Sequence, residues 1–183
     1  MPKSKSAYSI PTKKQKSDTY IFVVWVDNEA GVLARVVGLF SGRGYNIESL
    51  AVAEVDAIKN ISRITIVTTG TPQVIDQIKL QLKKLVPVHK VADFKREDKD
   101  VIFKEMALFK IVGNKDKMDR CINACKKYNP VILDQTQKST VIQVTALRRE
   151  IDKMNTKLKP LGLISTSRTG AVAMTRGAKI FNL

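Results

Sequence analysis

The stretch Tyr20-Ile21-Phe22-Val23-Val24-Trp25-Val26-Asp27-Asn28-Glu29-Ala30-Gly31-Val32-Leu33-Ala34-Arg35-Val36-Val37-Gly38-Leu39-Phe40 holds two hydrophobic periods with a polar turn between them. Tyr20 to Val26 is an unbroken β-branched and aromatic run of strand length. Asp27 to Gly31 interrupts it. From Val32 the apolar residues Val32, Leu33, Val36, Val37 and Phe40 recur at three- and four-residue steps, which is one face of a helix. Gly42 and Gly44 end that helix.

The same reading extends outward. Ile47 to Glu54 reads as a strand, Asp56 to Asn60 as a turn, and Ile61 to Thr68 as a second strand of the same kind. Thr71-Pro72 is a helix start, with Thr as cap and Pro at the first helical position. Val74, Ile75, Ile78, Leu82 and Leu85 continue it, and Val86 to Phe94 returns to strand. This βαββαβ order is the ferredoxin-like split unit. Lys95 to Asp100 is wholly charged, a natural linker. Beyond it the order repeats: strand 103–112, helix 115–128, strands 130–136 and 140–146, helix 148–161, and a closing strand Gly170 to Thr175. The expected fold is α+β, two consecutive ferredoxin-like βαββαβ units. The divisions are a basic, disordered arm over 1–18, a first domain over 19–94, a linker over 95–100 and a second domain over 101–183.

The chain has 183 residues and a net charge of +15. Such a balance raises nucleic acid or an anionic membrane as partners, so its location matters. Residues 1–17 carry five Lys and no acid, residues 19–97 ten bases and eight acids, and residues 98–183 seventeen bases and eight acids. The excess lies in the arm and the C-terminal half, not in one stripe. RNA-reading domains of this topology stack bases on aromatics of a central strand, whereas Ser62 to Thr68 has none. No nucleic-acid partner is expected. No apolar run approaches the roughly 18–20 residues of a membrane helix, so no membrane is expected either. The arm lacks Arg and an apolar segment, so it does not read as an address label.

Candidate chemistry is sparse. Two cysteines, Cys121 and Cys125, exclude a disulfide scaffold and a structural zinc site; at helical spacing they read as core filler. The single histidine, His89, has no acidic or cysteine neighbour in sequence and reads as structural or surface. Trp25 reads as core or interface, and Arg148-Arg149-Glu150 as a solvated helix face. Asp27 and Glu29 have no second catalytic set to accompany them. No metal site and no catalytic residue are expected. The informative segment is the turn into the first helix: unpaired N–H groups and the helix dipole suit an anion such as a carboxylate, and Gly31 permits close approach. From the spacing alone an ordinary capped turn is the stronger reading.

Asn28 to Leu50 resembles the regulatory small subunit of acetohydroxyacid synthase, also called acetolactate synthase. That family's pattern N-x-x-G-x-L-x-R-V-x-x-L-F-x-x-R-G-Y-N-I-x-S-L is met at every fixed position from Asn28 to Leu50. Ser62 to Val67 resembles the family's third strand, and Lys79 to Val88 its Q-L-x-K-L-x-x-V segment. Lys104 to Lys110 resembles the R-E-x-x-L-x-K strand, with Lys104 in the place of Arg. Ser167 to Gly177 matches R-[ST]-G-x-x-x-x-x-R-G. The resemblance runs from Thr19 to the C-terminus and leaves out the lysine-rich arm.

The resemblance implies that residues 19–94 form an ACT domain, which pairs with a second copy and binds a branched-chain amino acid, chiefly valine, at the interface. Carried over by position, Asn28, Gly31 and the backbone of Val32 and Leu33 hold the effector's polar end, with Val32 and Leu33 flanking it. Asn46, with Ile47, reaches across from the other protomer. It also implies a chain without catalysis or cofactor of its own. The catalytic large subunit carries thiamine diphosphate, magnesium and FAD, in the cytoplasm or an organelle stroma. The rival from another class is a free-standing amino-acid-sensing ACT module that regulates transcription or another enzyme.

Overall fold

A computed structural model describes residues 16–178. The basic arm expected over 1–18 therefore lies outside the described residues as far as residue 15, and Asp18, assigned to it, opens the first strand. The first half of the chain runs β1 (Asp18–Asp27), α1 (Val32–Ser41), β2 (Ser49–Asp56), β3 (Ile61–Gly70), α2 (Pro72–Leu82) and β4 (Val88–Lys95). The second runs β5 (Val101–Val112), α3 (Lys115–Cys125), β6 (Val131–Gln135), β7 (Ser139–Ala146), α4 (Arg148–Leu158) and β8 (Leu163–Thr175). Each half is a βαββαβ unit with its own antiparallel sheet, ordered β2-β3-β1-β4 and β6-β7-β5-β8. The fold is α+β.

β1 is apolar without alternation because both of its faces are covered. Tyr20, Phe22, Val24 and Val26 pack under Val36 and Phe40 of α1 and Ile75, Ile78 and Leu82 of α2, so both helices lie on one face of the sheet. Each fully buried side chain of this size contributes about 1.5–3 kcal/mol. Ile21, Val23 and Trp25 face the other way, into a cluster with Val101, Ala171 and Ala173. Those residues belong to the β5–β8 ladder, which extends beyond its own helices and lies across the first sheet. The face on which RNA readers stack bases is therefore occupied here by the second half of the chain. In the second unit, Ala107, Phe109 and Ile111 pack under α3 and α4 together with Cys121 and Cys125. Both cysteines are fully buried, and burial pushes the Cys125 thiol up to about 11, which keeps it protonated and unreactive at neutral pH.

Three sequence expectations need correction. The last strand begins at Leu163, not Gly170: residues 163–168 pair with β5 from Ile111 to Ala107. Helices expected to reach residues 128 and 161 end at Cys125 and Leu158, each followed by one 3-10 turn that a left-handed residue, Asn129 or Gly162, stops. Arg148-Arg149-Glu150 is a solvated face only at Arg149: Glu150 accepts from the Tyr128 hydroxyl and from Lys153 Nζ (3.2 Å), and one guanidinium nitrogen of Arg148 is buried.

The Tyr128 hydrogen bond, followed by that from Lys153, holds the Glu150 carboxyl at about 2, below its ordinary 4.5. A depressed folded pKa contributes stability that is complete above the unfolded value and is lost as pH falls toward the folded one. Urea midpoints should therefore decline from about pH 4.5 to about pH 2, and Tyr128→Phe should flatten that decline. A Tyr128→Phe protein with the parent pH profile would show that the hydroxyl does not set the carboxylate.

Candidate functional site

The turn after β1 is held by the sheet. Asn28 N–H donates to the Asn60 carbonyl (2.8 Å), and Asn28 Oδ1 accepts from Ser62 Oγ (2.9 Å), which leaves the side-chain NH2 of Asn28 as its remaining donor. Gly31 is the N-cap of α1 at φ 83°, a left-handed conformation. α1 has no side-chain cap and no acidic residue in its first turn, so nothing in its first turn offsets the positive end of the helix dipole. A Cβ on Gly31 would meet nothing within 4 Å. Substitution there acts first through the backbone, by about 1–2 kcal/mol of left-handed strain, and not through a clash.

The carried-over residues fall into two groups. Asn28, Gly31 and Leu33 are exposed around the start of α1, whereas Val32 is buried in the core and its N–H donates to the Glu29 carbonyl (3.3 Å). Val32 therefore cannot offer a side-chain wall, contrary to the expectation that it flanks the site. Asn46 is exposed beyond the other end of α1, and its carbonyl accepts from Thr68 Oγ1 (2.7 Å). Ile47 packs partly against the core. β3 measures the separation: Asn28 is tied to Ser62 and Asn46 to Thr68, six residues along one strand, or about 20 Å. One chain does not bring the two asparagines together around one small molecule.

Elsewhere, His89 has a partner that the sequence hid: its Nε2 lies 2.6 Å from Asp27 Oδ1, which the β1–β4 pairing brings beside it. Among the described residues no group of three or more His, Cys, Asp or Glu side chains is placed to hold a metal, and no helix is long and apolar enough to cross a membrane. Trp25 is buried, with the Arg63 guanidinium 5.3 Å from its ring centroid. In the second half, Arg168 of β8 grips Glu105 of β5 with two hydrogen bonds (2.6 and 2.8 Å) and reaches Asp152 of α4 (2.7 Å). This clamp was not singled out in the sequence, although Arg168 opens the terminal motif.

Residues 22–90 match the family described as the AHAS small subunit-like ACT domain, and residues 104–177 match the small subunit of acetolactate synthase. Curated relatives span nearly the same length. The acetolactate synthase small subunit of Haemophilus influenzae is 37% identical over 87% of this chain and 96% of its own. The Aquifex aeolicus small subunit is 36% identical over 92% and 86%, and that of Mycobacterium bovis 33% identical over 88% and 94%. The crystal structure of the acetolactate synthase small subunit from Thermotoga maritima superposes with a TM-score of 0.79 at 30% identity, covering 88% of this chain and 99% of that one. With both halves matched and relatives above 30% identity along most of its length, the chain belongs to the family of acetolactate synthase small subunits, the regulatory partners in branched-chain amino acid biosynthesis.

Proposed function

We propose that two copies of this chain pair through residues 19–94 and bind valine between them, and that the pair activates a thiamine-diphosphate catalytic subunit and makes it sensitive to valine. The observation that carries this reading is the start of α1: uncapped, free of acid and opened by Gly31. The N–H groups of Leu33 and Ala34, with the Asn28 amide, suit the effector's carboxylate, since the Val32 N–H is taken by the Glu29 carbonyl, and the exposed Leu33 suits a small apolar side chain. The separation of Asn28 from Asn46 within one chain supports a site completed by Asn46 and Ile47 of a second copy. Among the described residues β2 is an edge strand of its sheet, where a second sheet can continue the ladder. The order β2-β3-β1-β4 with both helices on one face supports the ferredoxin-like name for the first unit, and the same order supports it for the second.

In this reading residues 19–94 bind effector and dimerise, 95–100 link, and 101–183 form the second domain. Catalysis, with thiamine diphosphate, magnesium and FAD, belongs to the large subunit in the cytoplasm or an organelle stroma. Valine acts by binding one conformation of the complex better than another. The test is reconstitution with the catalytic subunit. Acetolactate formation should rise when the chain is added and fall again with valine, and the chain alone should form none. A catalytic rate indifferent to the chain would sink the proposal.

A further inference from the structure

Two residues directly after Asn46 and Ile47 brace the first domain against the second. Glu48 N–H donates to Val67 (2.8 Å), and its carboxylate accepts from Thr69 Oγ1 (2.5 Å), which fixes it at the entry to β2. The same carboxylate lies 3.9 Å from Arg148 Nη1, a buried nitrogen at the start of α4 that has no hydrogen bond among the described residues. Next to it, Ser49 Oγ accepts from the N–H of Ala171 in β8 (3.2 Å).

The point reached on β8 is a bulge. Glu105 of β5 pairs with Ala171 and Ala107 with Arg168, so Thr169 and Gly170 together oppose Met106. On one side of the bulge Arg168 is clamped to Glu105 and Asp152, and Thr169 Oγ1 accepts from Met106 N–H (3.2 Å). On the other side Ala171 and Ala173 ride on the first sheet. Gly170 sits between them at φ 81°, and a Cβ there would lie 2.7 Å from Ser49 Oγ and 3.2 Å from the Leu50 carbonyl. Both the backbone conformation and the close approach of β2 require glycine. A cavity of about 500 Å³, lined in part by Glu48, Arg148 and Ala171, opens beside the brace and leaves it room to shift.

We propose that Glu48 and Ser49, pressed against Arg148, Gly170 and Ala171, form the joint through which occupancy of the effector site is passed to the second domain, with Gly170 as the positioning residue. The inference rests on the effector reading above. Asn46 and Ile47 cannot be drawn toward an effector without pulling on residues 48 and 49, whose side chains end on α4 and on the hinge of β8. A joint of this kind carries coupling without contributing to binding.

The test separates the two quantities. Valine binding to the full chain is measured by calorimetry, and valine inhibition is measured in the complex reconstituted with the catalytic subunit. Ser49→Ala and Gly170→Ala are compared with the Ser49→Ala/Gly170→Ala double variant, in which the close Oγ contact is absent, and circular dichroism reports folding. Ser49→Ala should bind valine as the parent does while the effect of valine on the complex falls about 5-fold or more, the low end of ordinary coupling. If Ser49→Ala and the double variant are inhibited like the parent, the joint is wrong and the effector reading stands. Loss of binding and inhibition together in Ser49→Ala would place Ser49 in the site and overturn the joint. A parent chain that binds no valine overturns the effector reading and the joint with it.

Discussion

Asn46→Ala should weaken the response of the reconstituted complex to valine by roughly 10- to 150-fold, while activation by the chain stays in place. Asn46 is exposed, and among the described residues only its backbone carbonyl is engaged, by Thr68 Oγ1. Removing its amide therefore costs the fold little. What is lost is a hydrogen bond to a charged group of the effector, about 1.5–3 kcal/mol, at about 1.4 kcal/mol per decade of affinity. Asn28→Ala should act in the same direction with some added cost to the turn, because Asn28 Oδ1 also accepts from Ser62. Lys83→Ala is the control: Lys83 is exposed at the end of α2, outside the motif that holds both asparagines, and valine response should not change. Titration of acetolactate formation against valine reads all three. Parent inhibition in Asn46→Ala would remove Asn46 from the site.

Arg168→Ala should destabilise the chain by about 3–5 kcal/mol, because it leaves the Glu105 carboxylate buried without its partner. Glu105 is 2% exposed, and both of its oxygens are taken by the Arg168 guanidinium. The two bonds to Glu105, with that to Asp152, push the Arg168 pKa further up, so the charge is permanent. Arg168→Lys should recover part of the loss, since an ammonium restores the charge but not the two-pronged geometry. Urea unfolding midpoints measure both. A loss below about 1 kcal/mol in Arg168→Ala would mean that water takes the place of the guanidinium.

How much of this was legible in the sequence depends on how locally each feature is determined. β1 and α1 are written in adjacent residues: the period changes at Asp27–Gly31, and the change is visible without any partner. Thr71-Pro72 announces α2 in the same way, and the side chain of Thr71 caps it. The first half of β8 was missed because it is an edge strand with no second face to bury. Ser165, Thr166, Ser167 and Thr169 show no apolar alternation, and the pairing is dictated by β5. Arg148-Arg149-Glu150 looked solvated because the groups facing it, Glu48 and Tyr128, are distant in sequence. His89 and Asp27 are likewise joined only by sheet register.

The candidate site divides along the same line. The Asn28–Gly31 turn and the open helix start are local, and the motif marks them. That Asn28 and Asn46 stand at opposite ends of β3 is a matter of register, as is the burial of the Val32 side chain. The brace between Ser49 and Ala171 spans 122 positions and has no local signal on either side. Only Gly170, a glycine within a motif otherwise suited to a strand, hinted that another backbone comes close.

Each effector site is proposed to be built from two chains, and mixing variants tests this most directly. Asn28→Ala and Asn46→Ala proteins, each unable to bind valine tightly alone, are unfolded together, refolded and titrated with valine by calorimetry. If the site is shared, each mixed pair holds one site with both asparagines intact. Tight valine binding then returns to a fraction of the sites, with parent affinity. If instead the mixture binds no better than either variant alone, although the two chains have paired, Asn28 and Asn46 do not meet across an interface and the site described here is wrong.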